Sequence, residues 1–326
     1  MKHIMAYDGG GTKTHLAVFD EIGHLLYEQI GLGCNHTSSD GYRFKSVIQN
    51  LFQDALTALH LDKDQVDFIF LGLSGADLPS DFEILNRACH EIFAPIPFKI
   101  ENDAWIVMRS GLNSPYGAVA ISGTGTNSAA MNKSGKKAIL RSLGYTLGIY
   151  GGGLDIAREG LHYAFRADEL TYMDTMLRKE IPKLLGKKDM NDVVDLFYPQ
   201  TKITKQQFGE ITALVHQCAD QKDQVSINIL TKIGICIAEQ TAGVMKQVQI
   251  DQEKVPVVIG GRVLSSTSPY LVGAFTQTIQ SICPKCYIVK PKYKPVVGAY
   301  LFALDIMNIK QNAVIDQNLD ESGVIL

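Results

Sequence analysis

The chain carries no basic excess: 31 lysines and arginines stand against 34 aspartates and glutamates, a formal net charge of −3. A protein that tracks a nucleic-acid backbone must neutralise it, so general nucleic-acid binding is excluded as the main activity. Long apolar runs are absent too, with none near the roughly 20 residues that span a bilayer. Met1-Lys2-His3 leads straight into a short strand-like run, without the apolar stretch and cleavage site of a signal peptide. A cytoplasmic location is expected. The six cysteines are scattered, and only Cys283-Pro-Lys-Cys286 has the CxxC spacing of redox and metal sites. Without a second such pair or paired histidines, two thiols near the start of a strand is the plainer reading. Also missing are the GxxxxGK[ST] phosphate loop and the GxGxxG dinucleotide fingerprint. What remains is an ordinary globular composition, 46% hydrophobic and 20% charged, long enough for two domains with large cores.

Glycine is not scarce, and its placement is informative. Met5-Ala6-Tyr7-Asp8-Gly9-Gly10-Gly11-Thr12-Lys13-Thr14 joins an apolar run to a second, alternating one. Three successive glycines remove the Cβ atoms that keep a ligand off the backbone, and Thr12, Lys13 and Thr14 add donors and a positive charge. That suits a phosphate at a hairpin tip; a plain glycine turn is the bland alternative. Around it, residues 3–7, 14–19 and 24–30 read as a meander of strands. Residues 41–60 show helical spacing, and 66–73 form a continuously apolar strand ending in Ser74-Gly75-Ala76-Asp77. A helix over 80–92 and a strand over 97–100 follow, the latter running into Glu101-Asn102-Asp103-Ala104. Then the pattern restarts. Residues 117–121 are a strand, Ser122-Gly123-Thr124-Gly125-Thr126-Asn127 a glycine and hydroxyl turn, 128–131 a strand and 137–143 a third. This second copy, about 114 residues on, points to internal duplication. Residues 154–249 read as five helices, 154–167, 170–181, 190–197, 205–221 and 224–248, with Pro182, Gly186 and Pro199 between segments. A buried strand at 255–259 ends in Gly260-Gly261-Arg262. A helix over 269–279, a strand at 286–289 and a helix from 295 to about 309 complete an α/β chain.

Two such turns suit the β- and γ-phosphates of a nucleoside triphosphate, with backbone N–H groups as the cradle and Thr12 and Thr124 adding bonds. Asp8, at the strand end before the first turn, stands where a carboxylate holds Mg²⁺ beside phosphates. Gly260-Gly261 allows close approach of a ring or ribose. Asp103 is the candidate base for a hydroxyl acceptor. On its own it reads more simply as a helix N-cap ahead of Ala104-Trp105.

Asp8-Gly-Gly-Gly-Thr-Lys-Thr14, Leu73-Ser-Gly-Ala76, Asn102-Asp103-Ala104, Ile121-Ser-Gly-Thr-Gly-Thr-Asn127 and Gly260-Gly261 occur in the order seen in one family. The chain resembles, up to about residue 300, the N-acetylglucosamine kinase and BadF/BadG/BcrA/BcrD ATPase group of the actin-like, sugar kinase and Hsp70 superfamily. The resemblance implies two RNase-H-like domains with a central interdomain cleft, the second enlarged by helices. The expected division is 1–112, 113–298 and a C-terminal helix and tail, 299–326, packing back on the first domain. It implies ATP and Mg²⁺, with Gly10, Gly11, Thr12, Lys13, Gly123, Thr124, Gly125, Gly260 and Gly261 on the nucleotide and Asp8 at the metal. Asp103 would activate a sugar hydroxyl, and Asn35, Ser74, Gly75, Asn102, Thr126 and Asn127 would hold the acceptor. A homodimer is the assembly such relatives suggest.

One departure stands out. N-acetylglucosamine kinases carry Gly-Asp-Glu-Gly after the second phosphate region, and its aspartate helps hold the sugar. Here Ile149 and Tyr150 occupy the acidic positions. An apolar pair cannot replace a carboxylate that bonds hydroxyls. Either the acceptor differs, or it is held differently, or Asp155 or Asp77 compensates; alternatively the pair only packs a loop. Two rival classes remain. An activating ATPase of the 2-hydroxyacyl-CoA dehydratase type would need an iron–sulfur cluster held by two cysteines per subunit, and Cys283 and Cys286 lie too late in the chain. A sugar sensor would need a partner for any role on DNA.

Overall fold

The computed structural model describes residues 1–37, 41–266 and 268–326. Two compact units emerge, one of residues 1–119, 131–136 and 289–326, the other of 120–130 and 137–288.

In the first unit, β1 (Ile4–Gly9), β2 (Lys13–Phe19) and β3 (Leu25–Leu32) form the meander. They are followed by α1 (Gly41–Leu59), β4 (Phe68–Leu73), α2 (Pro79–Phe93), β5 (Phe98–Asn102) and α3 (Asp103–Ser110). The sheet order is β3-β2-β1-β4-β5. β1 pairs antiparallel with β2 and parallel with β4, and β4 pairs parallel with β5, so Gly9, Leu73 and Asn102 finish at one edge. Every residue of β4 is buried, as its unbroken apolar run requires when helices cover both faces.

The second unit holds β6 (Gly117–Ser122), β7 (Thr126–Met131), β8 (Lys137–Ile139), β9 (Pro256–Gly260) and β10 (Tyr287–Val289), with β6, β7 and β10 reaching across the chain boundaries of the unit. Its sheet order is β10-β9-β6-β7-β8. Read from the other end this is the first sheet's pattern, a three-strand meander followed by two crossover strands. The helices are α4 (Gly153–Asp168), α5 (Leu177–Leu184), α6 (Met190–Val194), α7 (Lys205–Asp220), α8 (Gln224–Gln247), α9 (Gly261–Leu264) and α10 (Pro269–Ile282). β7 is tied to α8 by the hydroxyls of Ser128 and Thr241, 2.9 Å apart. A Cβ on Gly234 would run into the Leu271 carbonyl, which is why α8 and α10 pack so closely.

The chain then returns to the first unit as α11 (Pro295–Ile306) and α12 (Ala313–Glu321). α11 is apolar on nearly every side. It lies against the first sheet, with Tyr300 on Phe19 (4.5 Å between rings) and Phe302 stacked on Phe70 (5.5 Å). A Cβ on Gly298 would strike the Ile106 carbonyl, so α11 and α3 touch backbone to backbone. Arg109, almost wholly buried in α3, makes a two-pronged ion pair with Asp305 of α11 at 2.8 and 3.2 Å, and also reaches Leu112 O and Gln311. On the opposite face α1 and α2 close a core of Met5, Tyr7, Leu16, Ile48, Phe52, Leu71 and Phe93.

Three sequence expectations change. The helix expected over 170–181 is only α5, because Leu170 takes a left-handed backbone (φ 57°) that ends α4's path. Pro182, expected between helices, lies inside α5; it forgoes the hydrogen bond to Arg178 O, and the helix ends two residues later. The third strand of the second meander stops at Ile139 rather than 143. The tail beyond residue 310, whose order the sequence left open, forms α12 and an antiparallel bridge of Ile325 to Tyr293. Among the described residues, no helix is long and apolar enough to cross a membrane.

Candidate active site

In the first unit, three segments meet at the carboxyl edge of the sheet, where open α/β sheets bind ligands. The β1–β2 turn is closed by Gly10 N donating to Lys13 O (2.9 Å). The segment after β3 joins it through Cys34 N to Gly10 O (3.0 Å), and the turn after β4 through Ser74 N to Gly9 O (2.8 Å). A Cβ on Gly33 would collide with Gly11 O, so the second segment is pressed onto the first. On its outer side the turn is open: Gly11, Thr12 and Lys13 are exposed, and a Cβ on Gly11 would meet nothing within 4 Å. Space above exposed backbone donors is what a phosphate cradle requires. Thr14 is not part of it, since its buried hydroxyl donates to Leu32 O (2.7 Å) and braces β3.

The acceptor candidates gather beside this turn. Asn35 Nδ2 donates to Ser74 Oγ (3.0 Å), and Asn35 Oδ1 takes the backbone N–H and hydroxyl of Thr37, both at 2.8 Å. Gly75 has φ +87°, and a Cβ there would crowd the Asn35 amide. Only glycine turns so sharply and leaves room for that side chain. Asn102 is buried and fully engaged: its Oδ1 takes Ala104 N (2.9 Å), capping α3, and its Nδ2 donates to Asp77 Oδ1 (2.8 Å). The cap anticipated at Asp103 therefore belongs to Asn102, and Asp103 stands as the first residue of α3.

Three carboxylates face this edge. Asp103 is half-buried and its pKa is pushed up to about 7, first by burial and then by the nearby Asp8 and Asp77 carboxylates, against the backbone N–H groups at the start of α3. Asp8 is pushed up to about 6 by burial, opposed by the Lys13 ammonium. Asp77 also rises to about 6 through burial and Asp81, with His36 opposing. Burial pushes Asp81 up, but the N–H groups of Leu78 and Asp77 and the His36 ring outweigh it and hold its carboxyl below the usual range. Mutually repelling, partly desolvated acids are where a divalent cation is favourable.

The second unit builds its own turn. Gly123 N donates to Gly125 O (2.9 Å), while Gly123 O and Thr124 O accept the first N–H groups of α4, from Gly153 (2.8 Å) and Leu154 (3.1 Å). Ser122 Oγ donates to Gly151 O (2.6 Å). Gly261, at φ +80°, lies so close to Ser122 that any Cβ would meet its carbonyl, which brings Gly260-Gly261 against the turn. Thr124 and Gly125 are exposed, and Cβ atoms on Gly123 or Gly125 would again meet open space. Thr126 and Asn127 lie deeper, in β7. The Thr126 hydroxyl donates to Ile121 O (2.7 Å), and Asn127 Oδ1 accepts Ser128 N (2.8 Å).

Ile149 and Tyr150 are buried, and Gln240 of α8 donates to the Tyr150 carbonyl (2.5 Å). Asp155 has no oxygen to spare, since Oδ2 takes Gly151 N and Gly152 N (3.0 and 3.1 Å) and Oδ1 faces Arg158 at 3.3 Å. Cys283 and Cys286 are free, buried thiols, Cys283 pushed up to about 11 by burial, which disfavours the thiolate a metal needs. The sequence reading named Asp77 but missed the His36–Asp81 pair that backs it. Its polar turn was visible, but the parallel pairing that brings Asp77 beside Asn102 was not.

The profile of the BadF/BadG/BcrA/BcrD ATPase family matches residues 7–303. The N-acetylmuramic acid/N-acetylglucosamine kinase of Clostridium acetobutylicum is 26% identical over 303 residues, covering 93% of this chain and 98% of that one. The N-acetyl-D-glucosamine kinase of Dictyostelium discoideum is 26% identical over 308 residues, covering 91% and 96%. In fold, the chain matches the crystal structure of a Chromobacterium violaceum protein assigned as an N-acetylglucosamine kinase, with a TM-score of 0.72 and 16% identity over 93% of this chain and 99% of that one.

Proposed function

The chain belongs to the BadF/BadG/BcrA/BcrD ATPase family, and from that premise we propose that it is an ATP-dependent kinase of an amino sugar, N-acetylglucosamine being the acceptor to test first. One observation carries the reading: Asp103, a half-buried carboxyl near pKa 7, opens α3 beside an open glycine turn. A general base working at neutral pH has such a value. Both curated relatives are named as kinases of N-acetylglucosamine, and each is matched along nearly its whole length, which supports the same activity here.

In this mechanism Asp103 accepts the proton of an acceptor hydroxyl as its oxygen bonds the γ-phosphorus of ATP. The bond from that phosphorus to the β-phosphate oxygen breaks, and ADP leaves. Gly11 and Thr12 offer backbone donors to phosphate oxygens, Gly10 shapes the turn by donating its own N–H to Lys13 O, and Lys13 adds charge. Gly123, Thr124, Gly125, Gly260 and Gly261 are assigned the remaining nucleotide contacts. Asn35, Ser74, Gly75, Thr126 and Asn127 are assigned to the acceptor. Asn102 serves it indirectly, by holding α3. Mg²⁺, when bound, would neutralise phosphate charge. Among the described residues no group of three or more His, Cys, Asp or Glu side chains is arranged to hold a metal, and Asp8 with phosphate oxygens and water is the donor set Mg²⁺ usually accepts. Little covalent chemistry is asked of the protein; positioning and charge do most of it. We take the working form to be a cytoplasmic homodimer.

The test is an ADP-release assay over hexoses, N-acetylhexosamines and N-acetylmuramic acid. Acceptor-dependent ADP with an N-acetylated amino sugar is expected. Release that no sugar stimulates would defeat the proposal.

A further inference from the structure

Several of the more buried acids in this protein are bonded on both oxygens. Asp155 takes two backbone N–H groups on Oδ2 and Arg158 on Oδ1. Asp81 takes the N–H groups of Asp77 and Leu78 on Oδ2 (3.2 and 2.7 Å), and its Oδ1 lies 3.1 Å from His36 Nε2. Asp223 takes Thr175 and Ser226 on Oδ2 and Met176 N on Oδ1. Asp77 differs. Its Oδ1 accepts Asn102 Nδ2 at 2.8 Å, and among the described residues Oδ2 has no partner.

Asp77 is nevertheless supported from behind, although His36 Nδ1 is itself buried without a partner. Its backbone N–H is held by Asp81, which is held in turn by His36, a side chain only 7% exposed. Its carboxylate is fixed by an amide whose other end caps the helix that Asp103 begins. β4 and β5 run parallel, with Leu73 opposite Asn102, so Asp77 and Asp103 leave the sheet at the same edge. An ionised carboxylate accepts hydrogen bonds and donates none, so a spare oxygen held rigidly at a half-buried site is suited to an incoming O–H.

We propose that Asp77 binds a second hydroxyl of the acceptor, distinct from the one Asp103 deprotonates, and so selects for polyhydroxylated acceptors. The inference rests on the kinase reading. Burial lifts Asp77 only to about 6, so at pH 7.5 and above it is mostly ionised and able to accept. Asp77 is a binding residue in this scheme, and Asp81 and His36 position it.

The experiment uses the full chain, the sugar that the wild type phosphorylates best, and the monodeoxy analogues of that sugar. Asp77→Ala is expected to raise the acceptor KM by about 10-fold or more, the loss of one hydrogen bond to a charged group, with the KM for ATP unchanged within about twofold. One deoxy analogue should be a poor substrate for the wild type and no poorer than the parent sugar for Asp77→Ala. Asp77→Asn keeps an oxygen for Asn102, guards against a misfolded alanine variant, and should likewise lose part of that discrimination. A purely structural role would lower stability and leave the ranking of analogues intact. An unchanged ranking in both variants, or an unchanged acceptor KM, overturns the inference while leaving the kinase activity standing. A wild type that no sugar stimulates instead removes the kinase reading itself, and this one with it.

Discussion

At the scale of single residues, Asp103 links stability to rate. Its carboxyl is lifted from 3.8 to about 7, and those of Asp8 and Asp77 to about 6, chiefly by burial. Each raised group holds a proton in the folded protein at pH values where the unfolded chain has lost it. Its stabilising contribution is therefore full below about 4 and is lost as pH rises through 6 to 7. The unliganded protein should unfold at a lower temperature at pH 8 than at pH 5. Asp103→Asn should reduce that difference and raise the midpoint at pH 8 by roughly 2–4 °C, the shift about 1 kcal/mol gives in a domain of this size. The same variant should bind ATP yet lose at least about a hundredfold in kcat. In the wild type, kcat/KM should climb with pH toward a plateau above about 7. Calorimetry and a pH–rate profile check both halves, and near-normal turnover in Asp103→Asn would remove Asp103 from its role.

Among the elements, α3 and α11 govern where that carboxylate stands. Their closest approach is at Gly298, where a single Cβ would meet the Ile106 carbonyl. Gly298→Ala should cost about 1–3 kcal/mol in urea unfolding, the usual range for overpacking, and lower kcat because α3 must shift. Asp305→Ala leaves buried Arg109 without its carboxylate and should cost about 3 kcal/mol. A variant that unfolds like wild type in either case would show that the helices yield more easily than their geometry indicates. Most of these elements were legible in the sequence: strand periodicity, the glycine turns and helical spacing locate β1 to β7, α1 and α2 to within a few residues. Less legible was anything set by distant partners. Nothing near Asn102 in the sequence announces its bond to Asp77, and Pro182 reads as a breaker until tertiary packing carries α5 past it. The glycine turns could be read as phosphate-sized because the lack of Cβ is a local fact; that Thr14 faces inward to Leu32 depends on the register of β2 with β3.

For the whole molecule, the order of strands repeats in both sheets, so one topology serves twice within a single chain. The first unit is nonetheless not contiguous: α11 and α12 belong to it although the second unit intervenes. Deleting residues 310–326 should remove α12, expose the surface around Gly23 that Ile315 covers, and lower the unfolding midpoint while leaving folded protein. Deleting residues 290–326 should instead yield insoluble chains, because Phe19, Phe70 and Ile106 lose the helix that covers them. Solubility and circular dichroism of the two truncations separate these outcomes.

That arrangement has a consequence for birth rather than for work. A nascent chain makes β1 to β5 within its first 102 residues, but α11 ends only at Ile306. At about 5–20 residues per second, one greasy face of the first sheet waits roughly 10–40 s on the ribosome for its cover. During that interval it is a target for chaperones, and a delay in translating the second unit lengthens its exposure.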